Sequence, residues 1–335
     1  MQLRPNRPQP RQILLVAQRI VVSVVLQPDI VRRRRDRQMH TPRRQRLQHL
    51  PAIPANDLIL PPLAQTLPLP EVNHGALVTQ TNRGRKLALR ETAAVTSPPS
   101  PMKPTQIAAQ LFTVRDFCRT PADIAASLKK IRAIGYPAVQ ASGLGPIPPA
   151  DLARLCREEG LAICATHEGG DQILNQPHDI VAKLTTLGCR HTAYPYPAGV
   201  DFSTLESVRA LAARLNAAGK VLHEAGLTLS YHNHHIEFRR VAGRTALEII
   251  YAETDPRYVQ AEIDTYWIQY GGGNPVDWCR RLKHRLPLLH LKDFVITAEN
   301  KISVAEIGAG NLDWPAILRA ADEAGCQWFI VEQDT

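Results

Sequence analysis

Side chains that could bind a metal ion stand at the ends of four apolar segments in the second half of the chain, namely His232, Asp264, His290 and Glu332. Imidazole nitrogens and carboxylate oxygens are ligands for divalent ions such as Mn²⁺, Zn²⁺, Co²⁺ and Mg²⁺. Each residue alone has an ordinary explanation, as a buried histidine, a helix cap or a solvated glutamate. Four such residues at four successive segment ends are hard to explain in that way. The sequence therefore predicts a divalent metal site formed by these four residues.

Strand alternation explains why these side chains would meet. Successive side chains of a strand point to opposite faces, so residues two apart share a face. In each of the four segments, one set of alternate residues is mainly polar and is predicted to face inward. These residues are Thr228, Ser230, His232 and His234, then Gln260, Glu262 and Asp264, then His290 and Lys292, and finally Ile330 and Glu332. The other parity is largely apolar and suits packing against helices.

A metal that binds adjacent carbonyl and hydroxyl oxygens of a sugar acidifies the proton between them and stabilises the resulting enediolate. A carboxylate or imidazole then moves that proton. We expect Glu332 and either His234 or Glu237 to be the catalytic proton carriers. Isomerisation, epimerisation and dehydration of a keto-sugar or keto-inositol share this first step.

Further polar and aromatic residues follow other predicted strands and are candidates for substrate binding. Arg115 and His167 could bind hydroxyl groups, and Lys292 could either polarise an oxygen or pair with Asp264 or Asp293. Trp267 could form a flat wall for a sugar ring, although buried packing explains it equally well.

From Thr105 onward, short apolar runs alternate with amphipathic stretches. The predicted strands are Ile107–Phe112, Ala138–Gln140, Ala162–Thr166, His191–Tyr194, Thr228–His232, Val259–Asp264, Leu288–Leu291 and Trp328–Val331. The predicted helices are Pro121–Ile134, Pro148–Glu159, Gln176–Leu187, Thr204–Ala225, Thr245–Thr254, Pro275–Leu286 and Trp314–Ala324. This alternation predicts an α/β fold, a (β/α)8 TIM barrel. A doubly wound open sheet is the alternative, but no GxGxxG follows the first strand. Because the sequence ends just after the eighth strand, we expect a barrel truncated there, without its last helix.

The first hundred residues differ from the rest in composition. Residues 1–100 hold 16 Lys/Arg against 5 Asp/Glu, 13 of the 27 prolines and no Phe, Trp, Tyr or Cys, whereas residues 101–335 hold 24 Lys/Arg against 26 Asp/Glu. Such a chain cannot build an ordinary core. We therefore expect residues 1–101 to be a disordered or spurious, mistranslated extension before a barrel domain at 102–335, with Met102 as a credible true start. A nucleic-acid-binding arm around Arg32–Arg37 is the weaker alternative.

The six cysteines are widely spaced and form no CxxC pair, which is typical of reduced thiols in a cytoplasmic protein. No segment reaches the roughly 18–20 apolar residues of a membrane span. We expect no membrane partner. The sequence leaves the oligomeric state open, an oligomer included.

Residues 105–335 resemble the xylose isomerase-like TIM barrels known as sugar phosphate isomerases/epimerases. The motifs that carry the resemblance are QLFTVR (110–115), YHNHHIEF (231–238), IDTYW (263–267), HLKD (290–293), GAGNLDW (308–314) and VEQD (331–334). The resemblance implies a metal-dependent sugar isomerase or epimerase, with a metal-dependent dehydratase or lyase of a keto-sugar or inosose as the alternative. An abasic-site endonuclease-like enzyme and a non-catalytic barrel are weaker alternatives. Because the barrel region has a net charge of −2, we expect a small-molecule sugar substrate and no nucleic acid.

The resemblance also implies metal ligands at the ends of strands five to eight. Asp264, His290 and Glu332 match that pattern, but the fifth strand departs from it. The family's well-studied epimerases carry a glutamate there, whereas this chain offers His232 and His234, with Glu237 just beyond. We favour His232 and keep the other two as alternatives. With only Glu332 clearly present, a symmetric proton exchange between two glutamates is not expected.

Overall fold

The computed structural model describes residues 102–334. The predicted extension, residues 1–101, lies outside the described residues. Within residues 102–334 the chain forms a closed barrel of eight strands surrounded by helices.

The eight barrel strands follow one another around the barrel in chain order, and every neighbouring pair is parallel. They are β1 (Ile107–Gln110), β2 (Ala138–Ala141), β3 (Ala162–His167), β4 (His191–Tyr194), β5 (Thr228–His232), β6 (Val259–Asp264), β7 (Leu288–Leu291) and β8 (Trp328–Val331). β8 pairs with β1 and closes the barrel. The predicted TIM barrel is therefore confirmed, and the open sheet is excluded.

Nine α-helices occur in residues 102–334. They are α1 (Pro121–Ile134), α2 (Pro149–Glu158), α3 (Gly170–Asn175), α4 (Pro177–Leu187), α5 (Leu205–Glu224), α6 (Ala246–Glu253), α7 (Thr265–Tyr270), α8 (Pro275–Arg281) and α9 (Trp314–Ala324). Local signals set several of these bounds. α1 begins at Pro121 after the capping box of Thr120 and Asp123. It ends before Gly135, whose φ of +118° is a backbone conformation that glycine adopts readily.

Side chains of the barrel strands divide between two apolar clusters. The outward side chains, such as Leu229, Ala261 and Phe329, pack in the large core beneath the helices. A smaller cluster, which includes Ala108, Cys164 and Ile330, forms a separate core. This division follows the two strand parities and directs the polar parity of the later strands into the barrel.

The structure adds elements that the sequence pattern did not indicate. α7 is a short helix that directly follows β6, and α3 is a short helix that begins shortly after β3. Leu111–Phe117 forms a 3-10 helix where β1 was predicted to continue. A hairpin of Asp293–Ile296 and Ile302–Ala305 follows β7, and a smaller one pairs Arg240–Val241 with Arg244–Thr245. These elements lie in βα loops, where a TIM barrel carries its functional residues.

All six cysteines are free and buried. Burial raises the pKa of their thiols, for Cys279 to about 12, so they are packing residues and not nucleophiles. Among the described helices, none combines the length and the apolar character that crossing a membrane requires.

Candidate functional site

The four predicted metal ligands meet at the carboxyl end of the barrel. His232 ends β5, Asp264 ends β6, His290 lies in β7 and Glu332 directly follows β8. One ligand atom from each residue lies within 4.8 Å of the others, and all four side chains are buried. We call these four residues the ligand cluster. Four chain segments that are distant in sequence thus supply two imidazoles and two carboxylates to one point.

The two carboxylate oxygens of Asp264 have different surroundings. Its Oδ1 accepts a hydrogen bond of 3.0 Å from the amide N–H of Trp267 and so caps α7. Its Oδ2 is buried, accepts no hydrogen bond within the described residues, and lies 3.1 Å from Lys292 Nζ. The cap fixes the carboxylate while one oxygen still faces the cluster.

The orientation of His290 follows from its partners. Its Nε2 lies 2.7 Å from Gln140 Oε1, and its Nδ1 lies 2.8 Å from Glu332 Oε2. Gln140 uses its amide N–H to donate to Glu262 Oε1 at 2.6 Å, so its carbonyl oxygen must face His290. A carbonyl oxygen only accepts, and therefore Nε2 of His290 carries a proton. In the neutral tautomer, Nδ1 is then the nitrogen left for a metal.

Glu262 also belongs to this centre, although its position in the sequence predicted only that it faces the inside of the barrel. Its Oε2 lies 2.5 Å from His167 Nε2 and 3.3 Å from His232 Nδ1, and its Oε1 lies 3.4 Å from His290 Nε2. The residue is fully buried. Its inward parity in β6, one step before Asp264, was the signal that could have identified it.

Glu262 and the histidines around it form a charged network below the ligand cluster. Burial opposes ionisation of Glu262, but His290 and His167 nevertheless hold its pKa well below the usual range. Burial likewise opposes protonation of His290, yet Glu262 and Glu332 raise its pKa to about 10. Carboxylates that bind metal-ligating histidines in this way orient the rings and raise their basicity.

Lys292 is a buried cation among three carboxylates. Its Nζ lies 3.1 Å from Asp264 Oδ2, 3.1 Å from Glu332 Oε2 and 3.0 Å from Asp334 Oδ2. Burial disfavours the charge, but these carboxylates hold the pKa of Lys292 above its usual range. Of the two predicted partners, Lys292 therefore pairs with Asp264.

Asp293, the other predicted partner, has a structural position. Its carboxylate accepts hydrogen bonds from the amides of Phe294, Gly308 and Gly310 and from Trp314 Nε1, at 2.6–3.1 Å. It thereby links the HLKD and GAGNLDW motifs.

The three candidates of the fifth segment occupy different places. His232 joins the ligand cluster. His234 Nδ1 is buried without a hydrogen-bond partner in the described residues, and burial, His232 and Lys292 lower the pKa of His234 to about 2. Glu237 instead accepts hydrogen bonds of 2.9 Å from Tyr231 Oη and from the His234 amide. Because Tyr231 faces the helices, Glu237 is not brought into the ligand cluster.

The predicted substrate-binding residues His167 and Arg115 lie in different surroundings. His167 is part of the network below it and stacks on His290 with ring centroids 5.4 Å apart. Arg115 donates to the carbonyl oxygens of Phe112 at 2.8 Å and Asp334 at 2.9 Å, and so connects the β1 loop to the segment after β8.

Trp267 lies beside the cluster, with Lys292 Nζ 5.4 Å from its ring centroid. It contacts the rings of His234, His235, Tyr266 and Tyr270 at centroid distances of 4.6–5.7 Å. Tyr270, at the end of this group, is half exposed. The arrangement is an aromatic wall at the mouth of the barrel.

The ligand cluster fits a divalent ion. Two nitrogen and two oxygen donors suit Zn²⁺ or Mn²⁺, and α7 and the Glu262 network hold the donors in place. Buried atoms without a hydrogen-bond partner in residues 102–334 include His232 Nδ1, His234 Nδ1 and Asp264 Oδ2. Asp264 Oδ2 lies 3.1 Å from Lys292 Nζ and His232 Nδ1 lies 3.3 Å from Glu262 Oε2, so of these three only His234 Nδ1 has no ion-pair neighbour within residues 102–334. Buried atoms without a partner are rare in folded proteins and commonly mark the place of an ion or water.

Comparison with known proteins places this chain in a family. The model of the family described as "Xylose isomerase-like TIM barrel" matches residues 128–335. Inosose dehydratase from Geobacillus thermodenitrificans is 28% identical over 137 residues, which are 36% of this chain and 45% of that protein. Inosose dehydratase from Clostridium beijerinckii is 24% identical over 186 residues, 50% of this chain and 59% of that protein. The chain thus spans about half the length of these curated relatives.

Solved structures show the same fold. A sugar phosphate isomerase/epimerase from Parabacteroides distasonis superposes with a TM-score of 0.59 at 22% identity, covering 72% of this chain and 89% of that one. An L-ribulose 3-epimerase gives 0.53 at 15% identity over 68% of this chain and 80% of its own. The probable 3-DHS dehydratase of Bacillus anthracis gives 0.52 at 10% identity, with coverages of 68% and 92%. The family match and the closed barrel together confirm the resemblance: the chain belongs to the xylose isomerase-like TIM barrel family.

Proposed function

We propose that this protein is a divalent-metal-dependent isomerase or epimerase that removes a proton next to the carbonyl group of a keto-sugar or keto-inositol. The convergence of the ligand cluster, with all four donors buried and within 4.8 Å of one another, is the observation that carries the proposal. Members of the family include isomerases, epimerases and dehydratases, so an enzymatic function agrees with the comparisons.

A bound divalent ion would polarise the substrate carbonyl and stabilise the enediolate. His232, Asp264, His290 and Glu332 would hold it. Burial and the Glu262 network keep these side chains in fixed orientations, so little reorganisation would accompany the reaction.

Glu332 and His234 are the proposed proton carriers. Lys292 and His290 oppose the effect of burial and keep the pKa of Glu332 well below its usual range, so this carboxylate is ionised in the free protein. Burial, His232 and Lys292 lower the pKa of His234 to about 2, so its ring is neutral and a weak base, and its Nδ1, which has no hydrogen-bond partner within residues 102–334, is suited first to accept a hydrogen bond from a substrate hydroxyl group. Glu237 remains a candidate, but its bonds to Tyr231 and to the His234 amide give it no direct position in the cluster.

A dehydratase acting on a keto-sugar or inosose is the second candidate. Isomers and epimers form when a proton returns to a carbon of the enediolate. A symmetric epimerase uses two equivalent side chains to carry that proton. Here a carboxylate and an imidazole occupy these roles, with the Lys292 ammonium 3.1 Å from Glu332. An asymmetric set of this kind also suits loss of a hydroxyl group. Sequence similarity to two inosose dehydratases favours the same alternative.

A small-molecule substrate suits the site better than nucleic acid. The barrel region carries no positive surplus, with 24 Lys/Arg against 26 Asp/Glu in residues 101–335. The aromatic wall around Trp267 offers flat surfaces for a sugar ring. Six buried free thiols agree with a cytoplasmic location.

The test is hydrogen exchange on a panel of keto-sugars and inososes in D2O, followed by NMR in the presence of Mn²⁺ or Zn²⁺. We expect deuterium at the carbon next to the carbonyl group of at least one compound, whether the product is an isomer, an epimer or a dehydrated sugar. Glu332→Gln should abolish exchange, whereas Glu323→Gln, the same change at an exposed position of α9, should not. Absence of exchange with every compound, or equal rates in the two variants, would contradict the proposal.

A further inference from the structure

A second concave site opens at the opposite end of the barrel. A cavity of about 930 Å³ is lined by His191 and Thr228, which begin β4 and β5, by Gln260 near the start of β6, and by Pro287 and Gln327, which precede β7 and β8. We call it the basic cavity. Gln260 and Asp264 are four residues apart in β6, which corresponds to roughly 13 Å. The basic cavity is therefore separate from the ligand cluster.

Positive charge dominates the wall of this cavity. Among the described residues that line it, the one carboxylate is Glu248, and the cationic side chains are Arg190, Arg244, Arg257, Arg281, Lys283 and Arg285. Arg281 pairs with Glu248 at 2.9 Å, and Arg257 pairs with Asp255 at 2.6 Å. The other four cations have no carboxylate partner within residues 102–334. The cavity therefore gathers cations without ion-pair partners, although residues 101–335 as a whole hold 24 Lys/Arg against 26 Asp/Glu.

Arg285 is the most constrained of these cations. Its guanidinium donates to the carbonyl oxygens of Tyr251, Val259 and Thr254 at 2.7–3.2 Å. These bonds fix the group without neutralising it, and burial lowers its pKa. Arg285 therefore contributes a fixed positive charge that Asp255 partly offsets, and the exposed Arg190 and Lys283 are the cations free to contact an anion.

His191 is a buried, neutral polar residue in the wall of the basic cavity. The residue is only 5% exposed, lines the cavity, and has an Nδ1 atom that is buried without a hydrogen-bond partner in the described part of the chain. Burial and the adjacent Arg190 lower its pKa to about 4, so the ring is neutral. Because Nδ1 itself has almost no exposed surface, His191 adds a neutral polar group to the wall, and the cations of the cavity carry the inference.

We infer that the basic cavity binds a small phosphate-bearing anion, either a phosphate ester or free phosphate. Arginine forks match phosphate oxygens in geometry and charge, and the volume admits a metabolite-sized ligand. Its position at the amino-terminal end of the strands makes it distinct from the site of the proposed reaction. A phosphate bound here would be an effector and not the substrate.

Calorimetric titration of the full chain tests this inference, with inorganic phosphate and fructose 6-phosphate at constant ionic strength. Arg190→Gln/Lys283→Gln removes two exposed, unpaired cations from the cavity. Lys129→Gln/Lys130→Gln makes the same charge change on the outer surface of α1. Since residues 1–100 carry their own surplus of cations, only the comparison of these two variants reports on the cavity.

We expect the Arg190/Lys283 variant to lose about tenfold or more in affinity for at least one probe, and the Lys129/Lys130 variant to remain within about twofold of the parent protein. A larger loss of affinity for fructose 6-phosphate than for inorganic phosphate in the Arg190/Lys283 variant would identify the ester as the ligand of the cavity, and a similar loss for the two probes would identify the phosphate group alone. Equal losses in both variants, or no saturable binding by the parent protein, would overturn the inference. Unchanged melting temperatures show that both variants are folded.

Discussion

Replacement of Asp293 by alanine should destabilise the barrel strongly without removing the proposed metal ion. The carboxylate is fully buried and accepts from Phe294 N at 2.8 Å, Gly308 N at 3.0 Å, Gly310 N at 3.1 Å and Trp314 Nε1 at 2.6 Å. Alanine leaves the buried indole N–H of Trp314 without a partner, and it releases the loop that precedes α9. None of these donors belongs to the ligand cluster.

The expected magnitude follows from these contacts. An unsatisfied buried donor costs about 1–3 kcal/mol, and each hydrogen bond to a charged group contributes about 1.5–3 kcal/mol. The backbone amides of the partly exposed loop regain bonds to water, so the sum is not fully additive. We therefore expect Asp293→Ala to lower the free energy of unfolding by about 3–5 kcal/mol.

Urea denaturation followed by tryptophan fluorescence measures this loss. Asp313→Ala is the matched control, because Asp313 caps α9 through the Ala316 amide on the exposed side of the same loop. Loss of such a cap costs about 1 kcal/mol. If Asp293→Ala were no more destabilising than Asp313→Ala, the structural explanation of the HLKD and GAGNLDW motifs would be refuted.

Three further predictions concern the buried charges. Glu262→Gln should weaken metal binding about 10–100-fold in chelator competition, because the carboxylate no longer orients the surrounding imidazoles; unchanged affinity would contradict this role. Glu262 and Glu332 raise the pKa of His290 to about 10, and a metal binds the deprotonated ring, so metal affinity should rise as the pH increases from 6 to 8. Calorimetry in buffers of different ionisation enthalpy should detect the proton that metal binding releases. Burial raises the pKa of Glu237 from 4.5 to about 7, above its value in the unfolded chain, so stability should fall by about 3 kcal/mol as pH rises through that interval. Glu237→Gln should flatten this dependence in urea titrations, and a parallel pH profile would exclude the assigned cause.

The strands and the ligand cluster were accessible from the sequence because periodicity and parity are local properties. β4 to β8 begin and end as predicted, and the polar parity of β5 to β8 converges as alternation requires. β1 ends two residues earlier than predicted, because Gln110 Oε1 accepts from the Phe112 amide at 3.3 Å and a 3-10 turn begins.

Roles that depend on distant partners were not accessible. Parity placed Glu262 inside the barrel, but only the folded structure shows that three histidines from other strands surround it. The sequence also could not show that Lys292 belongs to the site whereas its neighbour Asp293 is structural, because the partners of Asp293 lie in the distant loop before α9. α7 is too short for a periodic signal, yet it brings Trp267 to the mouth of the barrel.

Metal content is the most direct test of the proposed centre. The full chain is dialysed against Mn²⁺ or Zn²⁺, separated from free ion and subjected to elemental analysis, together with Asp264→Ala, His290→Ala and the control Leu291→Ala. Leu291 is buried on the outward face of β7, so its replacement should cost about 2–5 kcal/mol of stability and leave the metal in place. We predict one divalent ion per chain in the parent protein and in Leu291→Ala, and none in the two ligand variants. A folded parent protein without a stoichiometric ion, or ligand variants that retain it, would contradict the metal-dependent mechanism.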